Sequence, residues 1–255
     1  MDATSQSHFA WPDGCRSAVS LTFDDGMQSQ RMRAVPILNQ YSLHATFYVN
    51  PRDNFEETLS AWQEAVAAGH ELGNHTVRHP CSKNFSFISA SDRIALEDMT
   101  LADMEAEILL AKQRLQQVFP ERSDVSFAYP CYQPFVGCGE GRASYVPLVA
   151  KHCVAGRGRG ERANDPLRCD LAYVWSYPCE RMGGAEMVGL VEESIAEGRW
   201  TVLTFHGVHE ENLSVSDSDF ELVCRHLAAN QGRIWTETVA QVAKHIRAER
   251  AALAV

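Results

Sequence analysis

Two adjacent aspartates, Asp24 and Asp25, close the apolar run of SLTFDDG at residues 20–26. Like charges side by side repel, and a carboxylate at the end of a buried strand is costly unless it is paired or holds a metal. A solvated turn would accommodate the pair cheaply; a metal site would use it, provided other ligands follow. They do follow in GNHTVRHP, where His75 and His79 stand four residues apart. On a helical turn that spacing brings both imidazoles to one side. A carboxylate with two histidines is a familiar ligand set for zinc or another divalent metal that keeps a position open for water. Asp25, His75 and His79 would supply it, and Asp24 is then free to act as a base. No glutamate follows His75, which excludes the H-E-x-x-H arrangement of a zinc protease.

The elements that must position these residues alternate along the chain. Apolar strands are expected at residues 18–23, 45–50, 70–75, 125–130, 152–155 and 200–206, with a further short one in RIWT. Helices are expected at 32–41, 56–69, 100–119, 143–151, 185–197, 216–230 and 238–250. The clearest is 100–119, where Thr100 and Asp103 flank the start and Met104, Ile108, Leu109 and Leu115 form an apolar stripe. Strands that are apolar throughout and separated by helices imply a parallel sheet covered by helices. Asp24, Asp25, His75 and His206 all fall at the C-terminal ends of expected strands, the edge where parallel α/β folds place their sites. No internal repeat or low-complexity linker divides the chain, so one domain over residues 1–255 is expected.

Composition narrows the function classes. A net charge of −10 argues against a nucleic-acid partner, and no run of about 18 apolar residues suggests a membrane span. The first residues lack the basic and then apolar pattern of a secretory leader. The chain as it stands therefore reads as cytoplasmic, or as secreted or periplasmic if a leader was removed. Eight cysteines with no C-x-x-C pair exclude a structural zinc ribbon and are expected to be mostly buried free thiols. A thiol nucleophile at Cys131 is disfavoured, because the histidines already have other duties.

TFDDG, then NHTVRHP, then LTFH, in that order over residues 20–206, resembles the NodB-homology polysaccharide deacetylases of carbohydrate esterase family 4. The ending TVLTFHGVHEENLSVS and the segment FAYPCYQ are most similar to the branch of gellan-lyase-associated domains. The resemblance implies a distorted (β/α) barrel of about seven parallel strands. It also implies hydrolytic removal of acetyl groups from an N- or O-acetylated oligo- or polysaccharide. Asp24 would be the general base, Asp25, His75 and His79 the ligands of a divalent metal (Zn2+, with Co2+ or Ni2+ as alternatives), and His206 the general acid. The N–H of Cys131 would be the backbone donor to the oxyanion.

The match has one break. The family carries R-x-P-[YF] before the oxyanion donor, whereas this chain reads AYPC, with Ala128 in the place of the arginine and Cys131 in the place of the aromatic. In the family that arginine orients and charge-balances the catalytic aspartate. Arg157 or Arg159, in VAGRGRGERANDP, is a candidate replacement; a solvated Gly/Arg loop is the plain alternative. Two other functions stay open: a saccharide-binding protein of the same fold without catalysis, and a hydrolase of small esters or non-sugar amides. Among the remaining candidates, Trp62 is expected in the core and His209 in a solvated loop. Tyr132 and Trp175 are expected near the edge of the site, and residues 81–98 are expected to form an insertion beside it.

Overall fold

The computed structural model describes residues 9–89, 94–122 and 124–253, with nothing stated of the side chain at 89. Its centre is β1 (Ser17–Phe23), in which every residue is buried. Strand β1 pairs in parallel with β2 (Ala45–Val49) along its second half and with β7 (Trp200–Phe205) along most of its length. Its first half also pairs with β8 (Ile234–Thr236). Outward from β2 lie β3 (Glu71–Asn74), β4 (Phe127–Ala128) and β5 (Gly156–Arg157), and outward from β7 lies β6 (Tyr177–Pro178). The spatial order is β5-β4-β3-β2-β1-β7-β6, parallel at every pairing.

The far edges meet. Val174 N–H donates to Gly156 O at 2.6 Å and Gly158 N–H to Val174 O at 2.8 Å, so the stretch just before β6 bonds back to β5. This is the distorted barrel that the family resemblance implies. Three of its strands are two residues long: β4 lies inside the expected strand 125–130, β5 begins just after the expected strand 152–155, and β6 was not expected as a strand.

Helices cover the outside. They include α1 (Val35–Gln40), entered through a π turn at Gln30–Ala34, then α2 (Phe55–Ser60), α3 (Gln63–Ala67) and α4 (Leu101–Val118). Farther along come α5 (Val146–His152), α6 (Gly184–Glu197), α7 (Asp217–Ala229) and α8 (Val239–Ala252). The expected capping box of α4 is present, with Thr100 and Asp103 exchanging backbone and side-chain bonds. Its expected apolar stripe needs one correction. Met104, Ile108, Ala111 and Leu115 are buried, but Leu109 is 43% exposed, because it lies about 100° around the helix from Ile108. No helix among the described residues is long and apolar enough to cross a membrane.

Register decides where the strand ends stop. Phe23 is level with Phe47 on one side and Phe205 on the other, and the rings stack at 4.9 and 5.2 Å between centroids. Phe220 of α7 closes edge-on against Phe23 and Phe205. This aromatic layer packs on the helix-covered face of the sheet, and the residues that follow Phe23 and Phe205 are Asp24 and His206. The shared register brings the two polar residues to the same height.

Candidate active site

Asp24 is buried and bonded to Arg157, whose Nη2 donates to Asp24 Oδ1. Arg157 is itself fully buried, at the end of β5, and its guanidinium carbon lies 5.2 Å from the ring centres of both Tyr48 and Tyr132. Gly73 makes room for this: a Cβ there would fall 2.4 Å from the Tyr48 ring. Burial by itself would raise the Asp24 carboxyl, but Arg157, with His75 and His206, outweighs it and holds the group below the usual carboxylate range. Burial would likewise depress Arg157, and Asp24 reverses the effect. Arg159, the other candidate, is exposed.

The register explains the substitution. Ala128 and Arg157 are direct partners in the β4–β5 ladder, so their side chains leave the same face of the sheet at the same height. The arginine has moved to the adjacent strand, and alanine at 128 leaves space beside it. Sequence reading could name two candidates but could not know this pairing.

Around Asp24 the expected ligands converge. Asp25 Oδ1 lies 3.7 Å from His75 Nε2 and 3.4 Å from His79 Nε2, and ligand atoms of the three residues lie within 4.8 Å of one another. His75 Nδ1 is 2.9 Å from Ala128 O. A carbonyl can only accept, so Nδ1 carries the proton and Nε2 presents its lone pair. That Nε2 is buried and has no hydrogen-bond partner among the described residues. Burial first, opposed by Asp24, brings both His75 and His79 down to about 4, so both are neutral near pH 7. An orphaned, neutral, buried nitrogen facing a carboxylate and a second imidazole fits a divalent metal.

The expectation of a helical turn at 75–79 is corrected. The segment is an irregular loop with Thr76 at φ 61° and His79 at φ 54°, and Asp25 also lies at φ 73°. These left-handed conformations are costly for residues other than glycine and persist only when neighbours impose them. Asn50 Nδ2 donates to His75 O and Thr76 O. Glu107 of α4 accepts from the N–H groups of Val77 and Arg78 and from Arg78 Nε. Glu107 was invisible as a functional residue because it lies on a helix that otherwise reads as packing.

His206 faces the centre from β7, with Nε2 4.0 Å from Asp24 Oδ2. On its far side Glu180 Oε1 lies 3.0 Å from Nδ1, as an ion pair whose alignment falls short of a hydrogen bond. Burial lowers His206, but Glu180, Asp24 and Asp25 together raise it above the ordinary histidine value. Gln30, on the π turn, donates to Asp24 O at 2.5 Å and to His206 O at 2.8 Å, tying the two strand ends together. Neither Gln30 nor Glu180 carried a signal in the sequence.

Cys131 lies in the turn Pro130–Tyr132 that follows β4, at φ 52°. Its side chain corrects the free-thiol expectation: Cys81 and Cys131 form a disulfide with Cα atoms 6.0 Å apart. Chain spacing could not reveal this contact, which tertiary packing makes across 50 residues. The other six cysteines are free, and four of them are buried. The bridge ties the turn to the loop just beyond His79, whose Nδ1 is 3.6 Å from Cys81 Sγ.

Of the remaining candidates, Trp62 is buried as expected, and His209 is 65% exposed on an ion pair to Asp217. Tyr132 lies beside Arg157, whereas Trp175 is 44% exposed. The expected insertion at 81–98 carries Phe87, which lines a cavity of about 560 Å³ together with Asp25 and His79. Residues 90–93 of that insertion lie outside the described residues.

Comparison with known proteins follows the same lines. Residues 12–133 match the sequence profile of the family described as polysaccharide deacetylase. The chain is 33% identical over 106 residues to the chitin disaccharide deacetylase of Vibrio alginolyticus. That match covers 38% of this chain and a quarter (25%) of the relative's length. A structure from Mycobacterium smegmatis, assigned as a polysaccharide deacetylase, superposes with a TM-score of 0.65 at 16% identity over 98% of this chain and 96% of that one. A family 4 acetyl xylan esterase from Clostridium thermocellum, solved with a cobalt ion, gives 0.55 at 18% identity over 89% and 90%. At such identities the likeness is one of fold. The profile match and the Vibrio relative support the family read from the motifs, and none of these comparisons bears on the gellan-lyase-associated branch.

Proposed function

We propose that this chain, a member of the polysaccharide deacetylases of carbohydrate esterase family 4, is a metal-dependent hydrolase that removes acetyl groups from an acetylated carbohydrate. The observation that carries the reading is the buried, partnerless Nε2 of His75, aimed into the triangle it makes with Asp25 and His79 beside an ionised Asp24. A saccharide-binding site would need neither the base nor the acid. The one feature that favoured binding alone, the missing arginine, is answered by Arg157.

Asp25, His75 and His79 would hold the metal, which supplies Lewis acidity to the acyl oxygen and makes the attacking water acidic enough for a weakly basic carboxylate. Asp24 takes the proton. Its Oδ1 is engaged by Arg157, which leaves Oδ2 as the basic atom, and Oδ2 also faces His75 and His206. His206 gives a proton to the departing nitrogen or oxygen. Its Nδ1 faces Glu180, so Nε2 is the donating atom, and Glu180 keeps the ring charged to a higher pH than an isolated histidine. The backbone N–H of Cys131, in a turn anchored by the disulfide, donates to the oxyanion as charge develops on the acyl carbon's oxygen.

The test is elemental analysis of wild type and Asp25→Ala alongside acetate release from a panel of acetylated oligosaccharides and simple aryl esters. About one metal per chain, lost together with acetate release in the variant, is the expected result. Absence of metal from wild type even after zinc is added overturns the ligand set. Activity confined to aryl esters overturns the carbohydrate substrate.

A further inference from the structure

The cavity beside Asp25 and His79 carries two arginines that the chemistry above does not use. Arg31 and Arg52 both line it, and Asp25 is the single carboxylate among its lining residues. Neither guanidinium makes an ion pair within 4.0 Å or donates a hydrogen bond among the described residues. Their neighbours in sequence are engaged. Arg33 pairs with Asp217 at 3.3 Å, and Asp53, next to Arg52, lies 3.4 Å from Arg114. In a chain with an excess of ten acidic charges, two arginines left without a carboxylate on one cavity wall call for an external anion.

Both are held near the site by residues already shown to brace it. Arg31 follows Gln30 on the π turn, so the residue tying Asp24 to His206 also fixes the start of the arginine. Its guanidinium carbon lies 5.8 Å from the centre of the Trp62 ring, and its Nε is buried with no partner. Arg52 N–H donates to Asn50 O at 2.9 Å, and Asn50 in turn holds the loop of His75 and Thr76. A π turn adds a residue to the helical repeat and redirects side chains, a device frequent at functional sites.

We propose that Arg31 and Arg52 form a subsite for a carboxylate carried by the saccharide, so that the substrate is an acidic acetylated saccharide. The inference rests on the deacetylase reading for the word substrate, but the subsite stands on its own as a binding site. A guanidinium offers planar, forked donors that match a carboxylate, and the aromatic wall of Trp62 restricts Arg31 before the ligand arrives. With Asp25 committed to the metal, the charges left on this wall are positive. Two ligand chemistries share the recognised group: a uronic acid, with the carboxylate on the ring, and an amino sugar bearing an ether-linked carboxylic acid.

Binding separates this inference from turnover. Calorimetry on the metal-loaded wild-type protein compares a non-acetylated oligouronate with its methyl ester, and an ether-linked carboxylic-acid amino sugar with its ester. The same titrations follow on Arg31→Gln/Arg52→Gln, with circular dichroism to confirm that it folds. At least one acid is expected to bind about tenfold or more tightly than its ester, and the double variant to bring the ratio close to one. The acid that shows the preference identifies the source of the carboxylate. Equal affinity for acid and ester in both pairs, or a preference that survives the double substitution, overturns the subsite. Acetate release is not part of this readout, so loss of the deacetylase reading would leave the result interpretable.

Discussion

Two buried histidines mark the two ends of β3, and they differ in how their ring nitrogens are satisfied. His70, just before the strand, accepts the N–H of Ala45 at Nδ1, and its Nε2 lies 3.1 Å from Asn39 Oδ1. His75, just after the strand, satisfies only Nδ1, on Ala128 O, while Nε2 is orphaned. Burial brings both down to about 4, so both rings are neutral, but as opposite tautomers. Burial and a shifted pKa therefore do not distinguish a packing histidine from a ligand. The unanswered lone pair does, and it lies at the end of the barrel where the backbone is strained at Asp25, Thr76 and His79.

The largest effect expected at the strand-end face is on Asp24. Asp24→Asn should lower kcat by about 10²–10⁴-fold, the usual weight of a positioned base, with metal content retained by elemental analysis. Metal loss in this variant would make Asp24 a ligand rather than a base. Next comes Arg157→Ala, which leaves a buried carboxylate without its cation and should cost about 3–5 kcal/mol in urea unfolding, along with activity. Adding Ala128→Arg to that variant should restore part of both, because the ladder sets 128 and 157 side by side. No recovery would mean that the space beside Arg157 does not admit a guanidinium from β4.

The histidine pair itself gives a crossed result. His75→Ala should abolish stoichiometric metal and lower activity more than about 100-fold. His70→Ala should keep the metal but lose about 2–3 kcal/mol of stability, since it strands the Ala45 N–H. Matching losses in both variants would erase the distinction between the two ends. The smallest effect is a change of pH profile. Glu180 helps to hold His206 above the ordinary histidine value, so Glu180→Gln lowers it, and the proton is lost at lower pH. The alkaline limb of kcat should therefore move to lower pH, with the peak rate changed little. A shift to higher pH would exclude His206 as the acid.

How much of this was legible followed from range along the chain. Asp24, Asp25, His75 and His206 stood out at the ends of expected strands and His79 by its spacing from His75, and the fully buried runs of β1, β2 and β7 implied parallel strands. Of the two-residue strands, β4 fell inside an expected strand and β5 just beyond one, whereas β6 left no trace, so the barrel's closure was an expectation of the family resemblance alone. Leu109 and the 75–79 loop show periodicity misapplied by a fraction of a turn, where the neighbours Glu107 and Asn50 decide.

By itself the sequence determined the alternation of strand and helix, the order of the polar strand ends and the residue types of the site, because these depend on local pattern. Only the tertiary structure decided which arginine neutralises Asp24, which residues brace the loops and which cysteines pair. Those are matters of register between strands and of contacts across 25 to 176 residues. No periodicity along the chain encodes them; they exist only once Phe23, Phe47 and Phe205 have brought their strands level.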